Sequence, residues 1–393
     1  MKQIYTDETY KESLDRVDDV LHGRQPDRVP TYALASEWMF FNAGYSQRDI
    51  EENPTLCYDS FKKMVEDVYF DTTLGPQYPR ALVYKEKLGG GNFEFSSSGI
   101  IQWNSTNVTC MNEDEYPQLI ENPWKFFMEV VLPRKYSKFA LQDPTEKYNA
   151  LCEAWDAKVK ATSMMPETMK RCREDVKVPV IFDPSTRYWH PFDVIMDYYR
   201  NFAGIMTDIR RRPQEVIAAC DAIQPQFLGD LHVENRKAPK GTAIMYPLHA
   251  PTFLKAKDYE KFYWPWYKEL VEYVNRYEYI LLAFFEGKHE HLYDFYETLP
   301  KHTIAGMFEF DDLKKTKQRL GDNLCIIGGM DTFLLKHGTK EECIDMAKKV
   351  VEELAPGGAY MATTNKQLSC CIKEVETSNY AAVNDWIRDN TKY

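Results

Sequence analysis

The sequence lacks a long apolar run. No uninterrupted hydrophobic stretch reaches the roughly 18 residues that a membrane-spanning helix needs. The N-terminal segment, MKQIYTDETYKESLDRVDD, is polar and acidic and has no apolar core of the kind found in secretory signals. We therefore expect a cytoplasmic protein that is not embedded in a membrane.

Positive charge is also scarce. The chain carries 49 Lys and Arg against 60 Asp and Glu, which gives a net charge of −11 and a pI near 5.4. Nucleic acids and anionic membrane surfaces bind proteins through basic patches. We therefore expect neither a nucleic acid nor a membrane as the main partner.

Paired cysteines of the CxxC type are missing. The nine cysteines are scattered without the spacing of a zinc ribbon or zinc finger. Scattered thiols suit a reducing compartment, where structural disulfides are rare. The sequence thus excludes the common small zinc modules and agrees with an intracellular location.

Linkers, repeats and low-complexity segments are absent from the 393 residues, so we predict a single domain over residues 1–393. No G-x-G-x-x-G follows the first strand pattern, which disfavours a dinucleotide-binding fold. Aromatic residues are plentiful, with 26 Tyr, 21 Phe and 8 Trp. Most of them must fill the core, but aromatic side chains also line pockets for apolar or aryl ligands.

Short apolar or β-branched runs alternate with longer helical patterns, as in parallel sheets built from βα units. The predicted helices include Tyr259–Tyr277, Leu313–Leu320 and Lys340–Leu354. The predicted strands are Arg28–Ala33, Val68–Thr72, Val178–Phe182, Gly241–Tyr246, Tyr279–Phe285, Thr303–Phe308, Leu324–Gly328 and Gly358–Thr363. Eight such units predict an α/β fold of the (β/α)8 TIM-barrel type. Residues 95–150 break the alternation, and we interpret them as an insertion that forms a roof over the barrel mouth.

Three residues that can act as general acids or metal ligands follow predicted strands. Glu286 follows Tyr279–Phe285, Glu309 follows Thr303–Phe308, and His249 lies in a proline-flanked loop after the fourth strand. Catalytic groups of such barrels lie at the C-terminal ends of the strands. Carboxylates and an imidazole that converge there form a metal site or a general-acid cluster. The simpler alternatives are a solvated loop carboxylate for Glu286, a helix-start acid for Glu309 and a structural loop histidine.

Other polar and aromatic residues at strand ends are candidates for substrate binding. Arg187 and His190, after the third strand, could bind a carboxylate or phenolate through charge-assisted hydrogen bonds. Asp331 follows the seventh strand, where a plain helix N-cap is the alternative. The full predicted substrate-binding set is Trp38, Phe40, Arg187, Tyr188, His190, Tyr246, Asp331 and Asn365.

Several ordered motifs resemble the uroporphyrinogen-decarboxylase-like superfamily, which also includes corrinoid-dependent methyltransferases. The resemblance spans nearly the whole chain and implies a barrel with its chemistry at the strand ends. The motifs are L-H-G-R-Q-P-D-R-V-P at 21–30, A-G-Y-S at 43–46, I-I-G-G-M-D at 326–331, L-K-H-G-T-K-E-E at 335–342 and G-A-Y-M at 358–361.

Two departures from the family pattern narrow the expected chemistry. The run Thr31–Tyr45 holds none of the arginines with which the decarboxylases bind a polycarboxylate, and offers Trp38 and Phe40 instead. The zinc-binding His-x-Cys segment of the thiol and methanol methyltransferases is also missing, because Phe284 and Glu286 replace its His and Cys. Asn365 lies near the position of the family's late Cys.

The resemblance thus implies a methyltransferase, with Glu286 as the central catalytic residue and Glu309 and His249 beside it. These three residues would bind a metal such as Zn²⁺ or donate a proton to a leaving oxygen. The methyl group of a small O-methyl donor, similar to an aryl methyl ether, would pass to the Co(I) corrinoid of a separate corrinoid protein. A decarboxylase and a non-catalytic binding protein remain the alternatives, and the oligomeric state stays open, with a homodimer among the possibilities.

Overall fold

The computed structural model describes residues 5–76, 82–103, 109–183, 186 and 188–393. The strands are β1 (Tyr32–Ala33), β2 (Thr72–Thr73), β3 (Phe93–Phe95), β4 (Ile101–Trp103), β5 (Ile244–Leu248), β6 (Leu281–Phe285), β7 (Ile304–Phe308), β8 (Cys325–Met330) and β9 (Tyr360–Thr364).

Helices cover most of the remaining described chain. The α-helices are α1 (Asp7–Leu21), α2 (Trp38–Ala43), α3 (Gln47–Glu52), α4 (Leu56–Asp67), α5 (Leu82–Leu88), α6 (Tyr116–Glu121), α7 (Pro123–Phe126), α8 (Leu132–Lys135), α9 (Pro144–Thr162), α10 (Met165–Arg171), α11 (Pro191–Val194), α12 (Asn201–Arg211), α13 (Pro213–Gly229), α14 (Ala256–Phe262), α15 (Trp264–Arg276), α16 (Tyr293–Tyr296), α17 (Leu313–Leu320), α18 (Thr332–His337), α19 (Lys340–Leu354) and α20 (Thr377–Asn390). Single π-helical turns span Phe127–Val131, Cys172–Val176 and Ile195–Arg200, and 3₁₀ turns span Ser137–Ala140, Pro251–Phe253 and Glu290–Leu292.

Within the described residues, eight strand segments pair in parallel and close into a ring, which confirms the predicted barrel. Strands β5 to β9 form one parallel sheet in chain order, and β1 pairs with β2. Single parallel bridges complete the ring, namely Thr73 to Val180, Phe182 to Ala243, and Thr31 to Ala362. No described helix is long and apolar enough to cross a bilayer.

The later strands agree well with the sequence pattern because they are buried on both faces. Strand β6 reads Leu-Leu-Ala-Phe-Phe and every residue is buried, as a parallel sheet covered by helices requires. The third strand segment of the barrel, predicted as Val178–Phe182, pairs with its neighbours through single bridges alone. Pro179 in this segment has no N–H to donate, which shortens its series of hydrogen bonds to the neighbouring strand.

Three elements differ from the sequence expectations. The predicted helix Tyr259–Tyr277 is two helices, α14 and α15, because Tyr263 leaves the helical conformation just before Pro265. Strands β3 and β4 form an antiparallel hairpin that the sequence pattern did not predict. Helix α9 continues to Thr162, so position 150 lies inside a helix and marks no structural boundary.

A buried ionic cluster ties the N-terminal ends of the first strands together. The fully buried carboxylate of Asp71 accepts hydrogen bonds from Arg16 Nη1 at 2.6 Å and from Arg28 Nη2 at 2.7 Å. Burial alone would raise the pKa of Asp71, but Arg28 and Arg16 outweigh it and hold the pKa below its ordinary range. Arg28 belongs to the motif at 21–30, so this motif has a structural role.

Two other motifs supply helix caps. The Ser46 hydroxyl accepts a hydrogen bond from the Asp49 backbone N–H, and the Asp49 side chain returns the contact to Ser46. Thr339 and Glu342 form the same reciprocal capping box at the start of α19. Such boxes satisfy N–H groups that a helix terminus leaves without partners.

Candidate active site at the C-terminal ends of the strands

Two of the three predicted catalytic side chains meet at the barrel mouth. His249 directly follows β5 and Glu286 directly follows β6, which are neighbouring parallel strands in register. The distance from His249 Nε2 to Glu286 Oε1 is 3.4 Å. The C-terminal ends of adjacent strands therefore place an imidazole beside a carboxylate, as the barrel argument predicted.

A second carboxylate, which sequence reasoning missed, holds the other ring nitrogen. Asp197 Oδ2 lies 2.6 Å from His249 Nδ1. Asp197 belongs to the π-helical turn Ile195–Arg200, a type of irregularity that is frequent at functional sites. A carboxylate on Nδ1 fixes the orientation of the ring and favours its protonated form.

A third carboxylate, Asp193, fixes the backbone of the His249 loop. Its two oxygens accept hydrogen bonds from the Ala250 N–H at 3.0 Å and the Tyr263 hydroxyl at 2.8 Å, and the His249 N–H lies 3.4 Å away. Burial raises the pKa of Asp193 to about 7, with His249, Tyr263 and the Ala250 N–H acting in the opposite direction. Asp193 therefore changes charge near neutral pH in the interior beside His249.

The electrostatic result is a histidine that stays protonated. Burial lowers the pKa of His249, but the hydrogen bonds to Asp197 and Glu286 and the charge of Asp193 outweigh burial and raise it to about 11. His249 is therefore an imidazolium at neutral pH, and both ring nitrogens carry protons.

The two nitrogens of His249 differ in availability. The Nδ1 contact with Asp197 is short, whereas the Nε2 contact with Glu286 is long for a charge-assisted hydrogen bond. The Glu286 side chain is 48% exposed and that of His249 is 30% exposed. Nε2–H is thus the more weakly bonded of the two protons and the one for which a bound molecule can compete with Glu286.

Glu309 supports this arrangement from the next strand. Its Oε2 accepts a hydrogen bond from the Gly287 N–H at 3.0 Å, so it fixes the turn that follows Glu286. Gly287 has φ of +78°, and a Cβ there would lie 2.2 Å from Thr252 Oγ1. Only glycine fits this turn, because any larger residue would collide with the loop after β5.

His289 also holds the turn after Glu286, from the buried side. The ring is fully buried, with Nε2 3.0 Å from the Glu286 carbonyl oxygen and Nδ1 2.8 Å from the Tyr296 hydroxyl. Burial lowers the pKa of His289 to about 3, so the ring is neutral. Nε2–H donates to the carbonyl and Nδ1 accepts from Tyr296, which fixes the backbone of Glu286.

The region that contains this site matches a known family. A family model described as uroporphyrinogen decarboxylase (URO-D) matches residues 148–373, more than half of the chain. The chain belongs to the uroporphyrinogen decarboxylase family. The matched part includes Asp193, Asp197, His249, Glu286 and Glu309.

A solved structure shares the fold over almost the full length of this URO-D family member. The "methyltransferase from Methanosarcina mazei" superposes with a TM-score of 0.62, covering 96% of this chain and 98% of the other. Its sequence identity is 14%, so the likeness shows the fold alone. No curated protein matches the chain.

Trp38 and Phe40, which were predicted to bind the substrate, lie in the core of this URO-D barrel. Trp38 and Phe40 are fully buried, and Trp38 packs edge-on against Tyr380 with ring centroids 6.0 Å apart. Helix α2 turns these residues inward and leaves Phe41 exposed. Trp38 and Phe40 therefore stabilise the barrel from within and do not line the mouth.

Three other predicted substrate-binding residues form a buried aromatic layer behind Asp193. His190 stacks on Tyr263 at 3.5 Å between ring centroids, and burial lowers its pKa to about 3. The Tyr246 hydroxyl lies 3.1 Å from that of Tyr263, and Tyr188 packs edge-on against Tyr246. Tyr188, His190 and Tyr246 thus position Asp193 through Tyr263, and Arg187 lies outside the described residues.

The remaining predicted residues lie to one side of the histidine. Asp331 caps α18 by accepting a hydrogen bond from the Leu334 N–H at 2.9 Å, which matches its helix-cap alternative. Asn365 accepts hydrogen bonds from the Thr332 N–H and hydroxyl. With Glu309 they line a separate cavity of about 290 Å³ between the ends of β7 and β8.

The predicted metal site of Glu286, Glu309 and His249 is not assembled. Among the residues that the structure describes, no three His, Cys, Asp or Glu side chains converge as metal ligands. Glu309 is turned to the Gly287 N–H, and His249 Nδ1 is bonded to Asp197. Tetrahedral zinc sites in enzymes take three protein ligands, so these residues do not fit the ion.

A cavity that none of the predicted site residues lines is found at the opposite end of the barrel. It has a volume of about 800 Å³ and is lined by segments that precede β5, β6 and β7 and by residues that follow α1. In barrels of this type the N-terminal face serves stability and the C-terminal face serves catalysis, so cavity size does not locate the candidate site.

Proposed function

We propose that this chain is a methyltransferase that moves the methyl group of a small O-methyl donor, similar to an aryl methyl ether, to a corrinoid acceptor on a separate protein. The observation that carries the proposal is the protonated His249 between Asp197 and Glu286 at the barrel mouth. The name of the structurally similar methyltransferase supports the same reaction class.

The proposed role of His249 follows from the charge that develops during the reaction. When the methyl–oxygen bond breaks, its electron pair stays on oxygen, and the oxygen then needs a proton. His249 Nε2–H donates that proton, while Asp197 holds the ring and stabilises its cationic form. A Co(I) corrinoid on the partner would supply the nucleophile that takes the methyl group.

Glu286 completes the proton path. Its half-exposed carboxylate lies beside Nε2 and in contact with solvent, so it can return a proton to the ring after each turnover. This assignment makes His249 the proton donor and Glu286 its neighbour. The sequence alone had predicted the reverse.

Electrostatics disfavours the alternative of a polycarboxylate decarboxylase. Asp193, Asp197 and Glu286 surround one histidine, so among the described residues the immediate surroundings of His249 carry more negative than positive charge, which disfavours a substrate with several carboxylates. Burying an unpaired carboxylate costs several kcal/mol. A neutral donor with one ether oxygen meets no such penalty.

The direct test is to incubate the purified protein with methoxybenzene derivatives and cob(I)alamin. We expect release of the phenol and the absorption change of methyl–cobalt formation in equal amounts. Conversion of uroporphyrinogen to coproporphyrinogen, without methyl transfer, would establish the decarboxylase instead. Binding of a methoxyaromatic without any product would indicate the non-catalytic alternative.

A further inference from the structure

Two exposed phenylalanines pack against each other at the barrel mouth. Phe202 on α12 is 47% exposed, and Phe253 in the 3₁₀ turn Pro251–Phe253 is 59% exposed. Their ring centroids lie 4.8 Å apart in an edge-to-face arrangement. Single exposed apolar residues are common, but a contacting exposed pair suggests a ligand or partner site.

Both members of this phenylalanine pair are attached to segments that build the candidate site. Phe253 lies four residues after His249, and Phe202 lies five residues after Asp197. Thr252, next to Phe253, accepts a hydrogen bond from the Lys288 N–H at 3.0 Å and packs against Gly287, which follows Glu286. The phenylalanine pair therefore lies on the same connected segments as His249, Asp197 and Glu286.

Local backbone contacts hold the pair in place. The Phe253 N–H donates to the Ala250 carbonyl oxygen at 3.0 Å, and the Ala250 N–H is bonded to Asp193. On the other side, Asn201 has φ of +60° and its side-chain oxygen accepts a hydrogen bond from the Gly204 N–H. A non-glycine residue in this left-handed region is held there by surrounding contacts, so the start of α12 is fixed relative to Asp197.

We propose that the Phe202–Phe253 pair binds the aryl group of the substrate whose ether oxygen faces His249. This inference deepens the proposed function and rests on it. Two exposed phenyl rings on segments that also carry His249 and Asp197 suit a ligand with one aromatic half and one polar oxygen. Aromatic rings pack favourably on such a pair in offset or edge-to-face geometry.

The pair also takes the place of the aromatic wall that the sequence predicted at Trp38 and Phe40. Those two rings are fully buried and cannot contact a ligand without opening the core. Phe202 and Phe253 lie on segments that also carry Asp197 and His249, and their rings are accessible. The aryl site is thus built from the segments that hold the proton donor.

The test measures binding separately from catalysis. Phenol and methoxybenzene are titrated calorimetrically into the wild-type protein, into Phe202→Ala/Phe253→Ala, and into the matched control Phe333→Ala. Phe333 follows β8, is 72% exposed and contacts only His337 among aromatic rings of the described chain. We expect the double variant to bind both probes roughly tenfold more weakly and the control to bind like wild type.

A kinetic comparison sharpens the same test. In the double variant KM for methoxybenzene should rise by a similar factor, whereas KM for methanol, which has no aryl group to contact the pair, should not change. Thermal unfolding should be nearly unaffected, because both side chains are exposed.

Every other outcome has a defined meaning. Equal probe binding by wild type and double variant, or no binding by wild type, overturns the inference. Unchanged probe binding with weaker association of a corrinoid protein would make the pair a docking surface and also overturn it. If the pair controls phenol binding but no methyl transfer occurs with any donor, the proposed function fails and the aryl site stands.

Discussion

At the N-terminal end of the strands two arginines neutralise one buried carboxylate, whereas at the C-terminal end three carboxylates share one histidine. Asp71 accepts hydrogen bonds from both Arg16 and Arg28 and is fully buried. His249 contacts Asp197 and Glu286, and its side chain stays 30% exposed. Together with Asp27, which also binds Arg16, the first cluster pairs two cations with two carboxylates around a buried centre, whereas the second has three carboxylates around one cation and is partly exposed.

This difference indicates which end of the barrel has groups with pKa values suited to proton transfer. In the Asp71 cluster the cations hold the carboxyl pKa low, so no proton moves in the physiological range. At the mouth, burial raises the pKa of Asp193 to about 7, so this carboxyl can exchange a proton near neutral pH, whereas the pKa of His249, raised to about 11 against the effect of burial, keeps that ring protonated. Shifted pKa values of this kind are frequent at functional sites.

The largest effect is expected for His249→Gln, which removes the proposed proton donor at the barrel mouth. Loss of the proton donor should lower methyl transfer by about 10²–10⁴-fold, because this is the usual contribution of one general acid or oxyanion-stabilising contact. Steady-state rates with a methoxybenzene donor provide the measurement. His337→Gln, at the end of α18, is the control. A variant that keeps more than half of the wild-type rate would show that His249 is structural.

Substitutions in the Asp71 cluster, at the N-terminal end of the strands, should change the free energy of unfolding. Asp71→Ala removes the buried carboxylate that Arg16 and Arg28 share and should cost about 3–5 kcal/mol in the free energy of unfolding. Asp27→Ala, which removes the exposed carboxylate bound to Arg16, should cost less than about 1 kcal/mol. Urea denaturation measures both. Equal losses in the two variants would contradict the balanced-cluster interpretation.

The two ends should also respond to opposite pH extremes. Asp71 has a lowered pKa, so its stabilising contribution is present above its ordinary value of 3.8 and is lost as the pH falls through the folded pKa. His249 has a raised pKa, so its contribution is complete below 6.5 and is lost as the pH rises through about 11. The stability gap between wild type and Asp71→Ala should shrink in acid, and the gap to His249→Gln should shrink in alkali.

Asp197→Asn tests how the mouth maintains its protonated histidine. Because the Asp197 contact raises the pKa of His249, its loss should move the alkaline limb of the activity profile down by about 1–3 pH units. Glu309→Gln serves as the control, since Glu309 bonds the Gly287 N–H and not the ring. If the two profiles coincide, Asp197 does not set the charge of His249.

The smallest effect separates structural from functional residues at the mouth end. Thr339→Ala removes the capping box of α19 and should cost about 1 kcal/mol of stability without changing the rate of methyl transfer. Thr55→Ala is the matched control, because Thr55 precedes α4 without capping it. Lost activity in stable Thr339→Ala protein would place this motif in the reaction.

Much of the barrel was predictable because its strands are apolar on both faces. Helices Leu313–Leu320 and Lys340–Leu354 also agree with the structure residue for residue, since Asp312 and Thr339 cap them. The hairpin β3–β4 was missed because strands of three residues are too short to show a clear periodicity. The prediction of a roof over the mouth remains a prediction.

The candidate site was predictable only in part. His249 and Glu286 follow strands directly, and the parallel register brings them together. Asp193 and Asp197 lie more than 50 residues before His249 within helical turns, where a lone Asp looks like a solvated surface residue. Trp38 and Phe40 were assigned to a pocket because sequence shows that a segment is aromatic but not which way a short helix turns.

The seam between β1 and β9 has a consequence for the newly synthesised chain. The Ala362 N–H donates to the Pro30 carbonyl oxygen, and the Thr363 hydroxyl donates to the Tyr32 carbonyl oxygen, which is 331 positions earlier in the chain. At about 5–20 residues per second of translation, the ribosome makes β9 roughly 20–70 s after β1. Until then the first strand has an unpaired edge of the kind that recruits foreign strands. The speed of translation therefore sets the shortest time for which this edge is exposed.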